Sequence, residues 1–252
     1  MTKRRVVVTG AANGIGWAIA QRFEADGHHV AVIDRDQGAL DRLPPSTERV
    51  HLRCDVANER ALEEAIDIVG RVLGGVDVWV SNAGFQHVAP IESFPTHVFR
   101  HMLEVMVVAP FVALRRVLPQ MRSQGWGRVI HIASINGLVG FEGKAGYNTA
   151  KHALIGLTRV AALEAAPAGV TVNAICPGYV DTPLVRGQLA DLATSRGVSL
   201  DRVLDDVILP LVPQRRLLSV EEVAESCAYV ASDAAAGMTG HCLVLDGGYT
   251  VR

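Results

Sequence analysis

No uncharged apolar run in this sequence approaches the roughly 20 residues that a helix needs to cross a bilayer; Val105 to Leu114 is among the longest. A membrane span is thereby excluded. An excess of charge is missing as well: 24 Lys and Arg against 26 Asp and Glu leave a net −2, and the basic residues are scattered. That excludes the basic footprint of a nucleic-acid or anionic-membrane binder. Cysteine is sparse. Cys54, Cys176, Cys227 and Cys242 lie far apart with no CxxC pair, so reduced core thiols are expected rather than a disulfide framework. The nine histidines are dispersed; His97 and His101 share a helical face, but no third ligand accompanies them, so no metal is expected. The chain has no internal repeat, low-complexity tract or flexible linker. Its basic start leads into too few apolar residues before Gly10 for a signal-peptide core. The default expectation is a cytoplasmic protein with a small-molecule partner.

What is present is enough apolar material for one large α/β domain over residues 1–252, with 49% hydrophobic and 20% charged residues. Short β-branched runs alternate with helical patterns and predict strands at Arg5 to Thr9, His29 to Asp34, Arg49 to Asp55, Val76 to Asn82, Arg128 to Ser134, Val170 to Cys176 and His241 to Asp246. Runs that are apolar nearly throughout suit strands covered on both faces. The expectation is a single-domain, Rossmann-type, doubly wound parallel sheet of about seven strands. Thr182 to Leu218 breaks the rhythm with a helical pattern interrupted by Gly187, Gly197, Pro210 and Pro213. Leaving from the carboxyl end of a strand, where open α/β sheets bind ligands, it reads as a substrate lid over 182–218.

The first strand runs into Thr9-Gly10-Ala11-Ala12-Asn13-Gly14-Ile15-Gly16 and then a helix. Backbone amides at that helix N-terminus can face a pyrophosphate with no Cβ in the way, so Gly10, Asn13, Gly14, Ile15 and Gly16 are candidate cofactor residues. Asp34 ends the second strand, where a carboxylate can accept from the ribose hydroxyls of NAD and repel the extra phosphate of NADP. NAD is the expected cofactor, although Arg35 beside Asp34 could pair with a 2′-phosphate. Asp55, followed by Val56, has the right position to meet the adenine. Asn82-Ala83-Gly84 ends the fourth strand with residues small enough to admit the cofactor.

Tyr147-Asn148-Thr149-Ala150-Lys151 puts a phenol and an ammonium one helical turn apart on one face. Alcohol oxidation needs a base for the hydroxyl proton, and a neighbouring ammonium with a positive nicotinamide can draw a tyrosine from about 10 toward neutrality. Ser134, thirteen residues before Tyr147, can hold the substrate oxygen.

These segments together, TGAANGIG, SNAG, Ser134, YNTAK and PGYVDT, resemble the motif set of the short-chain dehydrogenase/reductase family, in order and over the whole chain. The resemblance implies Tyr147 as acid/base, Ser134 orienting the carbonyl or carbinol, and Lys151 binding the nicotinamide ribose while tuning Tyr147. It adds Pro177, Gly178, Val180 and Thr182 to the cofactor set. It also implies a homotetramer, or at least a dimer, built through the helices around residues 97–122 and 147–166. The family's asparagine in the helix after SNAG falls on Met106, whose side chain cannot hold the water of a proton path.

A narrower likeness is to bacterial D-3-hydroxybutyrate dehydrogenases, carried by Gln86-His87, Ile91 to Pro95, Lys144, Pro183-Leu184-Val185 with Gln188, and the GGYT ending. It implies that Gln86, Lys144 and Gln188 bind the substrate carboxylate. Two departures stand in the substrate set: Asn136 where those enzymes have histidine, and Tyr179 where they have tryptophan. Asn136 can still donate to a carboxylate. The expected activity is NAD-dependent oxidation of D-3-hydroxybutyrate or a related short 3-hydroxy acid. Reduction of 3-ketoacyl or acetoacetyl thioesters with NAD(P)H, another secondary-alcohol oxidation, and non-catalytic dinucleotide binding remain as alternatives.

Overall fold

A computed structural model describes residues 3–183, 185–187, 199 and 202–251. Seven strands form one sheet: β1 (Arg5–Thr9), β2 (His29–Asp34), β3 (Arg49–Arg53), β4 (Val78–Ser81), β5 (Gly127–Ile132), β6 (Val170–Pro177) and β7 (Cys242–Leu245). Their order is β3-β2-β1-β4-β5-β6-β7 and each neighbouring pair is parallel. The reversal of direction between β1 and β4 makes the doubly wound topology expected from the sequence, with its ligand crevice at the strands' carboxyl ends.

The central strands are largely apolar because both faces are covered, whereas the edge strand β3, RVHLR, is only partly buried. Val7, Val129 and Val172 point into one core under α3 (Glu59–Leu73), α5 (Ala109–Gln124) and α6 (Ala145–Ala165). Val6, Val8 and Ile130, one residue out of phase, fill a second core beneath α1 (Gly14–Ala25) and α7 (Val220–Ala231). A short α2 (Gln37–Asp41) follows β2. Helix ends follow local chemistry: Asn58 caps α3 at Ala61 N–H and Gly74 closes it in the left-handed region, while Ser219 and Glu222 form a capping box on α7.

Five strands differ in their ends from the sequence reading, β6 by running one residue further, to Pro177. β3 stops at Arg53 rather than Asp55, β4 occupies only Val78–Ser81, β5 runs one residue earlier and ends at Ile132, and β7 is Cys242–Leu245. The cause is local hydrogen bonding by the polar end residues. Asp55 accepts from Ala57 N–H in a turn, Asn82 Nδ2 donates to the carbonyls of Thr9 and Gly10, and Ser134 caps a 3₁₀ turn at Asn136 N–H.

Between α4 (Thr96–Leu103) and α5 the helix passes through a π turn, Glu104–Val108, in which Ala109 N–H bonds Glu104 O. Pro110 sits just beyond and has no N–H, so Met106 C=O lacks its ordinary i+4 donor. Met102, fully buried at the end of α4, lays its sulfur against Gly146 at the start of α6. Among the described residues no helix is long and apolar enough to cross a membrane, and no group of three or more His, Cys, Asp or Glu could hold a metal ion. The cysteines are free thiols.

Candidate active site

The carboxyl ends of the strands open onto a cleft of about 360 Å³. Gly10, Asn13, Gly14 and Ile15 form one wall; Asp34, Asp55 and Val56 line the far end; Asn82, Ala83 and Gly84 form the floor. Ser134, Tyr147 and Lys151 face them with Pro177, Gly178, Val180 and Thr182. Gly16 alone of the proposed cofactor residues is off the wall. It lies behind the turn, where a Cβ would collide with Gly10 O and stand 2.5 Å from Asn82 Nδ2. The absence of a Cβ there lets β1's turn and α1 close up.

The cleft suits a dinucleotide. α1 starts at Gly14, which takes φ +54°, and Asn13 at the N-cap makes no side-chain bond to the first-turn amides, leaving those donors toward the cleft. Asp34 is held by two backbone donors, Ala12 N–H on Oδ2 and Asp36 N–H on Oδ1, each at 3.0 Å. A carboxylate offers about four lone-pair sites, so two remain for a diol. Arg35 is exposed on the same wall. Cys54, Phe85 and Val105 also line the cleft and were missed in the sequence, where they carry no pattern beyond core apolarity.

The chemical end is buried. Lys151, 3% exposed, donates from Nζ to Ile132 O at 2.7 Å and stands 5.3 Å from the Tyr147 ring centroid. Burial pushes its ammonium down to about 8. Burial also pushes the Tyr147 phenol up to about 12, offset in part by a hydrogen bond with Ser134. The downward shift expected from the Tyr/Lys spacing is thus reversed in the protein alone, because desolvation of the phenolate outweighs the Ser134 hydrogen bond. Met106 is buried in the core beneath this site and reaches Gly84 with its sulfur.

Of the proposed carboxylate ligands, Lys144 precedes α6 and is pushed down to about 8 by burial. The loop carrying Gln86 is tied to it: Ala89 pairs with Lys144 and Ala89 N–H bonds Gly143 O at 2.9 Å. Lys144 Nζ lies 5.3 Å from the Phe141 ring, which stacks on Tyr249, which in turn meets Tyr179 edge-on. Tyr179 therefore extends an aromatic cluster beside the cleft and is not on the wall of the cleft itself. Asn136 is 5% exposed and its amide is engaged with Ser134 and Asn148. Gln188 and much of the 182–218 segment lie outside the described residues. The base of that segment is pinned at the cleft mouth by the Val180–Leu218 pair, and Thr182, Pro183 and Val185 line the cleft.

A parallel doubly wound sheet with a serine, a tyrosine and a lysine converging on a dinucleotide-shaped cleft defines a nicotinamide-type oxidoreductase. The comparisons specify it further. The family model described as enoyl-(acyl carrier protein) reductase matches residues 10–250. An uncharacterized oxidoreductase of Bacillus subtilis (YxjF) is 50% identical, covering 100% of both chains. A D-beta-hydroxybutyrate dehydrogenase of Rhizobium meliloti is 39% identical, again over 100% of each. The solved structure of ElxO with NADP bound superposes with TM-score 0.89 at 29% identity, covering 100% of both chains. The chain belongs to the short-chain dehydrogenase/reductase family.

Proposed function

We propose that this protein oxidises D-3-hydroxybutyrate, or a closely related short 3-hydroxy acid, to the 3-keto acid with NAD. The observation that carries the substrate is Lys144, a half-buried ammonium at the entry to the catalytic helix, on a loop bonded to the one bearing Gln86. An ammonium removed from water favours an anionic partner, which a thioester lacks. Gln188 and Asn136 complete the carboxylate set in this reading. The residual acceptors on Asp34 favour the unphosphorylated ribose. Nicotinamide, when bound, supplies the hydride acceptor and a positive charge beside the phenol. Tyr147 takes the hydroxyl proton, Ser134 holds the carbinol oxygen, and Lys151 holds the ribose and keeps the phenol's surroundings positive. The 182–218 segment covers the substrate in this reading. The assembly is a homotetramer through α4–α5 and α6, whose outward faces expose Phe111, Val160 and Leu163.

A second reading, reduction of 3-ketoacyl thioesters with NADPH, draws on the acyl-carrier substrate in the family model's description, the NADP in the ElxO structure and the exposed Arg35. One screen separates them: nicotinamide reduction or oxidation with NAD and NADP over short 3-hydroxy acids, secondary alcohols and acetoacetyl thioesters. The expected result is NADH production from 3-hydroxybutyrate with Lys144→Ala raising its KM by about 30-fold or more, the cost of unpairing a desolvated charge. An unchanged KM refutes the carboxylate assignment. Faster turnover of the thioester with NADPH selects the second reading.

A further inference from the structure

The turn that follows β7 is held from two sides. Asp246, 8% exposed, accepts from Gly248 N–H at 2.8 Å on Oδ1, and from Thr250 N–H and its hydroxyl at 2.7 and 2.6 Å on Oδ2. Opposite, Gln214 N–H donates to Gly247 O at 3.0 Å. Gly247, at φ +63°, comes so close to Val212 that a Cβ would stand 2.7 Å from its Cγ1. The 3₁₀ turn Tyr249–Val251 is thereby fixed in place. Tyr249 stacks on Phe141, with ring centroids 5.6 Å apart and planes at 25°, and meets Tyr179 edge-on at 6.0 Å.

Phe141 opens a tight turn that ends at Lys144: Lys144 N–H bonds Phe141 O at 3.4 Å, and Gly143 between them takes φ +75°. The pairing with Ala89 sets the backbone of Lys144 but leaves its flexible four-carbon stem to be placed by other contacts. Among the described residues Nζ forms no ion pair; it lies over the Phe141 ring, 5.3 Å from the centroid. A cation at that distance is attracted to the negative face of the ring. A carboxylate in the same place would also hold the ammonium, but would compete with an anionic substrate for it. The ring holds the ammonium without neutralising it and leaves its N–H donors to an oxygen ligand.

We propose that Phe141 is a specificity-determining residue, parking the Lys144 ammonium where a substrate carboxylate meets it, and that Tyr249 is a positioning residue acting through the Phe141 ring. The turn after β7 and the loop before the catalytic helix then work as one unit, joined by the Tyr249–Phe141 stack. Their effect falls on binding of the substrate's anionic end, since the ring acts on the ammonium and on no group of the reacting carbinol. This inference rests on the reading of Lys144 as the carboxylate ligand.

The test uses the full-length enzyme with NAD and D-3-hydroxybutyrate, and the variants Phe141→Leu, Lys144→Ala, the two combined, Tyr249→Ala and Tyr249→Phe, with NADH binding followed by fluorescence. Phe141→Leu keeps an apolar side chain but removes the ring face, so KM is expected to rise about two- to fivefold. Its kcat, NADH affinity and melting temperature should stay near wild type. In the Lys144→Ala background the same change should leave KM where it is, because the group it acts on is gone. Tyr249→Ala should follow Phe141→Leu, while Tyr249→Phe keeps the stack and should restore the wild-type KM. An unchanged KM in Phe141→Leu overturns the inference. So does an equal rise in KM with and without Lys144, which would mark shaping of the cleft, or a rise matched by losses of NADH affinity and melting temperature, which would mark a structural role. Tyr249→Phe as impaired as Tyr249→Ala overturns the role given to the stack. No turnover of D-3-hydroxybutyrate, or a Lys144→Ala KM equal to wild type, refutes the reading beneath the inference, which falls with it; a raised KM in Lys144→Ala with no Phe141 effect refutes the inference alone.

Discussion

Replacing Gly16 by alanine puts one methyl group where no room exists. The new Cβ would collide with Gly10 O, stand 2.5 Å from Asn82 Nδ2 and 2.8 Å from Ala11 Cα. Two of these neighbours are backbone, and the third holds the ends of β1 and β4 together through bonds of 3.0 and 2.8 Å to Thr9 O and Gly10 O. Overpacking of this kind costs about 1–3 kcal/mol, and a loosened Asn82 bond adds about 1 kcal/mol. Alanine's better helix propensity returns about 0.5–1 kcal/mol, for a net loss of about 2–3 kcal/mol. Gly70, inside α3, is the control, because a Cβ there meets nothing within 4 Å. Gly70→Ala should be neutral or stabilise by about 0.5–1 kcal/mol. The same substitution in two helices is therefore expected to differ by about 3 kcal/mol, or about 6–12 °C in melting temperature for a domain of this size. Calorimetry or dye-based melting reads that gap, and NADH titration should show weakened binding only for Gly16→Ala. A Gly16→Ala melting temperature within about 2 °C of Gly70→Ala would refute the close-approach argument.

Two further outcomes follow from charged groups. His131 is fully buried, bonds Thr158 Oγ1 through Nδ1, and is pushed by burial from 6.5 to about 3. The unfolded chain binds this proton on acidification and the folded one does not, so stability is present above pH 6.5 and lost as pH falls toward about 3. Between pH 7.5 and 5.5 the loss from this one group is about 1.4 kcal/mol; urea unfolding of His131→Gln should lack it, and an unchanged pH dependence would contradict the assignment. Asp34→Ser should lower the NAD over NADP ratio of kcat/KM by about tenfold or more, since the repulsion of a 2′-phosphate goes with the carboxylate. A wild type that already prefers NADP would sink the cofactor argument.

The sheet could be read from the chain because strands covered on both faces must be continuous apolar runs, and β1 and β2 match that reading residue for residue. The cleft residues were legible for a related reason: they occupy strand ends, which topology alone brings together. Strand termini were less legible, since Asp55, Asn82 and Ser134 leave the ladder through side-chain bonds to backbone that no periodicity announces. The sign of Tyr147's shift was not legible either. Spacing shows its ammonium neighbour, whereas the desolvation that wins comes from the whole surrounding fold.

The π turn at Glu104–Val108 also has a bearing on how this chain can vary in length. One extra residue in a helical turn rotates everything before it by about 100° relative to everything after. That residue keeps Met102 in angular phase with Gly146, one position ahead of Tyr147, while α5 keeps its own apolar face on the sheet. Deleting any one of the five would swing Met102 away from the start of the catalytic helix, whatever side chains remained. Here the site depends on the count of residues as well as on their identity.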